Sequence, residues 1–224
     1  TAFVDGYILV AVFLTAWIAG PFFKRNDSDS GEFYSLLLLA AVGAMIMASS
    51  VDMLPLFLGL ELLSIPLYVL NAYLRHVPIS VEAGIKYFIV GAFASAFVVY
   101  GIALLYGATG TLNLGGMAAR VVAEGGLGPI ATLGLAMVVG GLGFKLALFP
   151  FHGWAPDVYQ GGPTPVTAFL SVVPKGAALV ALLRVVDGMD LLRLEPRWVL
   201  AAGIVAVASQ TLGNIVAIVQ RDVK

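Results

Sequence analysis

The sequence predicts an all-α, polytopic membrane protein: a bundle of about seven transmembrane helices, one of them broken by proline. Three observations predict it. Apolar residues make up 60% of the 224 positions and charged residues 11%, with a mean hydropathy of +0.99, more apolar surface than a soluble core of this size hides. The apolar residues gather in runs of about 20, the length that crosses a hydrocarbon core. Within each run the apolar character is continuous instead of alternating, which suits helices and not barrel strands, the two backbones that satisfy themselves in lipid.

The first run, residues 2–23, ends in the polar stretch from Lys24 to Glu32. The second and third, 33–52 and 54–74, stop at Arg75-His76-Val77-Pro78, a turn signal. The fourth, 82–106, gives way to the Gly-rich stretch from Gly107 to Gly128. Small residues at helix-packing spacing, Gly91 with Ser95 and Ala92 with Ala96, would let neighbouring backbones approach it closely. The fifth run, 129–149, contains Gly140-Gly141-Leu142-Gly143, which inside an apolar helix marks close packing and not a phosphate loop. Pro150 follows that run, so its helix is expected to break or kink there, freeing carbonyls close to Lys145. A broken helix beside an intramembrane lysine is a transporter feature. The sixth and seventh runs, 165–186 and 197–219, flank the charged stretch from Asp187 to Arg197.

Several classes of chemistry are disfavoured. Without cysteine there is no disulfide, thiolate metal site or thiol nucleophile. His76 and His152 are the only histidines and have no ligand spacing, so no metal is expected. A net charge of -1 gives no argument for nucleic acid. Residue 1 is Thr, no basic segment precedes a short apolar run, and the chain looks like an internal piece of something longer. Alternate connections collect Lys24, Arg25, Arg75, Arg221 and Lys224 on one side and Arg120, Arg184, Arg193 and Arg197 on the other, which favours the first side as cytoplasmic only slightly.

Against this background Glu61, Lys86, Lys145 and Lys175 stand out, because a charge at bilayer depth costs about 2.5–3.5 kcal/mol on insertion scales. Glu61 shares a helical face with Ser64 and Tyr68; it is either a staple between helices or a titratable proton or ion site. Lys86 lies near the start of its run, where it either snorkels to the interface or pairs with Glu61, each charge lowering the cost of burying the other. Lys145 has no acidic neighbour in sequence; it either caps carbonyls freed by Pro150 or exchanges protons. Lys175, bracketed by Pro174 and Gly176, repeats the arrangement and suggests a path. His152 and Asp157, after the break, read either as a polar helix end near an aqueous face or as part of the site.

Four stretches carry a family resemblance. Leu58-Gly59-Leu60-Glu61-Leu62-Leu63-Ser64-Ile65-Pro66-Leu67-Tyr68, Ser80-Val81-Glu82-Ala83-Gly84-Ile85-Lys86-Tyr87-Phe88, Gly143-Phe144-Lys145-Leu146-Ala147 and Pro150-Phe151-His152-Gly153-Trp154-Ala155-Pro156-Asp157-Val158-Tyr159 resemble the N-subunit family of bacterial NADH-quinone oxidoreductase, respiratory complex I. The match continues from Gly162-Pro163-Thr164-Pro165 through Lys175-Gly176-Ala177. That family is similar to cation/proton antiporter subunits and is built from two inverted five-helix repeats, each with a broken helix. The resemblance implies a leading helix and loop at 1–32, a first antiporter-like repeat at 33–196 and the first helix of a truncated second repeat at 197–224.

By resemblance, Glu61 and Lys86 are the carboxylate and its lysine partner, Lys145 the lysine beside the break, and Lys175 the connecting lysine. The implied function is proton translocation, with a shift in the Glu61–Lys86 pair changing the hold of Lys145 on its proton, which leaves by way of Lys175. NADH, FMN, iron–sulfur clusters and quinone are expected in other subunits, with no cofactor or redox chemistry in this chain. The expected partners are other membrane subunits of complex I and the lipid bilayer; the expected location is the bacterial inner membrane, multi-pass. A subunit of a sodium/proton antiporter is the alternative, and a structural spacer with buried charges is a second. Two departures stand out: the family continues beyond residue 224, and Pro174 occupies a position expected to be a non-proline residue, predicting a bend before Lys175.

Overall fold

Nine helices and no strand occupy the described residues of the computed structural model, which are 2–26, 31–191 and 196–220. Arg193, Arg221 and Lys224 of the charge tally lie outside them. The helices are α1 (Ala2–Arg25), α2 (Gly31–Ser49), α3 (Met53–Asn71), α4 (Pro78–Thr109), α5 (Leu114–Ala123), α6 (Pro129–Leu146), α7 (Ala155–Gly161), α8 (Thr164–Gly188) and α9 (Pro196–Val219). Seven of these are long and apolar enough to cross a membrane, and they coincide with the seven predicted runs.

The two short helices are additions to the sequence reading. In the Gly-rich connection, the Asn113 side chain caps α5 by accepting from the Gly116 N–H at 3.1 Å. Leu114, Met117 and Val121 then form its buried stripe. Helix α4 is the longest at 32 residues, about 48 Å at 1.5 Å per residue. It therefore outreaches a core of about 30 Å. Pro78 sits in its first turn, where the missing N–H is harmless. Gly110 ends it in the left-handed region at φ 72°, its N–H reaching the Tyr106 carbonyl.

Two tight helix pairs, α2 with α3 and α4 with α6, are joined by α8, which packs against α1, α2, α3 and α6. Glycine makes both pairs possible. A Cβ on Gly43 would lie 2.2 Å from the Leu63 nitrogen, and one on Gly59 would lie 2.5 Å from the Met47 nitrogen, so α2 and α3 meet backbone to backbone. In the second pair, a Cβ on Gly141 would stand 2.2 Å from Val98 Cγ2, so this glycine makes the close packing expected of its run, whereas Gly140 and Gly143 have room for a Cβ. The Gly91–Ser95 stripe faces α3, where a Cβ on Gly91 would strike the Tyr68 hydroxyl. Ala92 and Ala96 are exposed, so the packing expected of them is not used within this bundle.

Helix α8 runs through Pro174 as one element, and Pro174 is itself buried. Helix α9 stands at the edge with most of its surface exposed. It is tied to the break by the Phe149 N–H donating to the Ser209 hydroxyl oxygen at 2.9 Å.

Candidate functional site

The break that the sequence placed near Pro150 occurs three residues earlier in the ordered helix: α6 ends at Leu146, and Ala147 turns into the left-handed region at φ 56°, ψ 39°. The offset follows from proline's geometry. A proline ring in a helix clashes with the carbonyl four residues back and biases the residue before it away from helix, so Pro150 forbids the turn that would follow Leu146. Two of the carbonyls at that end are claimed locally. Gly143 accepts from the Leu148 N–H at 2.9 Å, and Phe144 accepts from the Ala147 N–H at 2.9 Å and the Trp154 indole at 3.1 Å. Among the described residues the Lys145 ammonium donates to side-chain hydroxyls and to no carbonyl, an arrangement that does not use it as a carbonyl cap.

Instead the Lys145 ammonium turns inward and is 3% exposed. It donates to the Ser64 hydroxyl at 2.8 Å and to the Tyr87 hydroxyl at 3.0 Å. The Ser64 hydroxyl proton is committed to the Leu60 carbonyl, leaving its oxygen free to accept. The Tyr87 and Tyr68 rings lie 5.1 and 5.8 Å from the nitrogen, within cation–π range. The cage is neutral. Among the described residues no carboxylate touches Lys145, but Glu61 stands close enough to act on it, and on Tyr68, through space.

Glu61 is partly buried on α3 and accepts a hydrogen bond from the Ser95 hydroxyl of α4. The polar stripe read from Glu61, Ser64 and Tyr68 is therefore real, and its target is Lys145. The expected Glu61–Lys86 pair does not form. Lys86 is held by Asp157 at 2.7 Å and Glu82 at 2.8 Å. The reason is register: Glu61 is level with Ser95, and Lys86 lies nine residues back along the same helix, about 13.5 Å at helical rise. That is beyond a lysine's reach. Lys86 is half-exposed beside an open cleft of about 430 Å³ bounded by Phe144, Pro150, Trp154 and Asp157.

Lys175 is partly buried, with its ammonium 5.2 Å from the centre of the Tyr159 ring. His152 is partly buried; its Nδ1 is enclosed and has no hydrogen-bond partner among the described residues. Asp157 is an exposed carboxylate in the first turn of α7, and it ties α7 to α4 through Lys86. No cluster of three or more His, Asp or Glu side chains is placed to hold a metal among the described residues.

Sequence reasoning missed Tyr87, Ser95, Trp154 and the Lys86–Asp157 pair. A signal for the first two was present. Ser80, Gly84, Tyr87, Gly91 and Ser95 recur at three- and four-residue spacing, one face of a helix, and that face meets α3. Nothing comparable announces Asp157, whose partner is 71 residues away.

The family described as NADH:quinone oxidoreductase/Mrp antiporter, TM, matches residues 50–224. The NADH-quinone oxidoreductase subunit N 1 of Herpetosiphon aurantiacus is 43% identical over 226 residues, 99% of this chain and 46% of that protein. A chain of respiratory complex I from Thermus thermophilus with bound aureothin superposes with a TM-score of 0.80 at 40% identity, over 99% of this chain and 45% of that one. The Mrp complex from Dietzia sp. DQ12-45-1b contains a chain with a TM-score of 0.80 at 24% identity, over 97% of this chain and 40% of that one; this likeness shows the fold alone. The chain spans a little under half the length of the curated relatives it matches.

Proposed function

The chain belongs to the NADH:quinone oxidoreductase/Mrp antiporter transmembrane family, and from that premise we propose that it carries the first half of a proton-translocating membrane subunit of NADH-quinone oxidoreductase. The observation that carries the reading is Lys145, a buried amine at a helix break that among the described residues is hydrogen-bonded only to neutral hydroxyls. Two carboxylates in contact would fix a lysine's charge. Neutral acceptors with a carboxylate at longer range leave the proton free to move when that field changes.

In this reading Glu61 sets the field at Lys145, Lys145 holds the transferable proton, and Lys175 receives it. Lys86 enters from the periphery, through the Asp157 pair that anchors the second part of the broken helix. Residues 33–196 form the first antiporter-like repeat, preceded by a leading helix and loop at 1–32 and followed by the start of a second repeat at 197–224. The assembled complex sits in the bacterial inner membrane with other membrane subunits. NADH, flavin, iron–sulfur clusters and quinone are bound by its other subunits, and pumping here is driven from a distance.

The test uses the full-length subunit in the assembled complex in sealed vesicles, with proton uptake measured per NADH oxidised. Lys145→Ala and Glu61→Gln are expected to cut pumping about tenfold or more, the scale of losing a positioned proton donor. Full pumping by both variants would sink the reading and favour a structural spacer. An antiporter subunit is distinguished by co-purification, since iron–sulfur subunits accompany the redox-driven pump alone.

A further inference from the structure

Lys145 and Lys175 are joined by no direct hydrogen bond, and three aromatic side chains stand between them. The Lys145 ammonium donates to the Tyr87 hydroxyl. The Tyr87 ring stacks on Trp154, with centroids 4.9 Å apart and planes 16° apart. Trp154 meets Tyr159 edge to face at 6.1 Å, and the Tyr159 ring lies under the Lys175 ammonium. The series therefore runs from one lysine to the other. Its last hydroxyl is the unusual one: Tyr159 Oη is enclosed, yet no group among the described residues hydrogen-bonds it. The phenols of Tyr87 and Tyr159 are still close enough to influence each other electrostatically.

A phenol carries one donor and acceptor capacity, and enclosed polar groups are hydrogen-bonded either to protein or to ordered water. With no described residue in that place, ordered water is the partner left for the Tyr159 hydroxyl to hold. We propose that Tyr159 is a positioning residue for proton transfer, its hydroxyl anchoring water that bridges the Lys145–Tyr87 site to Lys175. The proposal rests on the reading of the two lysines as carriers. In one transfer the Lys145 ammonium gives a proton to the Tyr87 oxygen while Tyr87 gives its hydroxyl proton to the anchored water. That water passes one of its protons on to a neutral Lys175 amine. Lys145 ends neutral and Lys175 charged, and each oxygen between them has gained one proton and lost one.

The experiment uses the full-length subunit in the assembled complex in sealed vesicles. Tyr159→Phe keeps the ring against Trp154 and Lys175 and removes only the hydroxyl. Proton uptake per NADH is expected to fall about two- to tenfold, the scale of one lost hydrogen bond. The solvent deuterium isotope effect on uptake should rise, which a purely structural role would not cause. An experimental map of the wild-type complex should show ordered water at hydrogen-bond distance from the Tyr159 oxygen. Unchanged uptake and isotope effect in Tyr159→Phe, or a map in which a protein group fills that hydrogen bond, overturns the proposal. If Tyr159→Phe fails to assemble, the wild-type map decides. Parallel Lys145→Ala and Lys175→Ala variants separate the two levels: full pumping in both overturns the carrier reading itself, whereas loss in both with none in Tyr159→Phe removes only the hydroxyl's role.

Discussion

Lys145 and Lys86 both interrupt apolar helices with a lone ammonium, and the bundle treats them in opposite ways. Lys145 is enclosed among neutral hydroxyls and tyrosine faces. Lys86 is half-exposed and gripped by two carboxylates. On the proposed reading a charge held by two carboxylates stays fixed, and the Lys86–Asp157 contact joins α4 to α7. A charge held by neutral acceptors is the one whose occupancy a distant change can alter. The contrast teaches that burial of a lysine is less informative than the formal charge of what surrounds it.

The sharpest way to break the contrast is to remove both amines with the same side chain. Lys145→Met fills a similar volume and is expected to cut pumping per NADH about tenfold or more, while Lys86→Met costs much less. Equal losses in the two variants, measured in sealed vesicles on equal amounts of assembled complex, would mean that the neutral cage has no special role.

A smaller effect should follow from dismantling the cage around an intact Lys145. Ser64→Ala and Tyr87→Phe each remove one hydrogen bond to a charged group, an interaction of about 1.5–3 kcal/mol. Either variant should reduce pumping about tenfold, the lower end of that range, and the double variant should approach Lys145→Met. If Tyr87→Phe matches wild type, the hydroxyl is not part of Lys145's site.

How far this site was legible in the sequence follows from the distances along the chain. The seven spans could be read because continuous apolar runs leave helices as the only economical backbone in lipid. Glu61, Ser64 and Tyr68 could be grouped because they share one helical face, and the break could be placed because proline acts on its own preceding turn. Partner choice could not. Ser95, not Lys86, meets Glu61 because of the axial register between α3 and α4, which no local pattern encodes. The short helix α7 begins at Ala155 with Pro156 in its first turn, and Trp154 before it is held to the Phe144 carbonyl across the break.

The Lys86 side of the contrast is sharpened by a double-variant cycle. Lys86→Gln and Asp157→Asn each break the same exposed contact, whose geometry is good at 2.7 Å but whose setting limits its worth. Each is expected to lower pumping by about twofold or less, and the double variant should equal Lys86→Gln alone, which already loses the Asp157 contact along with that to Glu82. Additive losses would show that the two residues act separately.

The smallest effect is expected at the joint between the two environments. Ala147 holds a left-handed conformation that terminates α6 directly after Lys145, and an L-residue with a Cβ pays roughly 1–2 kcal/mol there. Glycine avoids that clash but gains freedom in the unfolded chain, an opposing effect of about 0.5–1 kcal/mol. Ala147→Gly should therefore stabilise the detergent-solubilised full-length subunit by up to about 1 kcal/mol, read as a raised thermal midpoint, with pumping little changed. The cage is built by Ser64 and Tyr87 on other helices, so relaxing the turn leaves the Lys145 ammonium where it is. A lowered midpoint together with lost pumping would show instead that the alanine methyl locks the break, and that the position of Lys145 depends on the joint as much as on its hydroxyl partners.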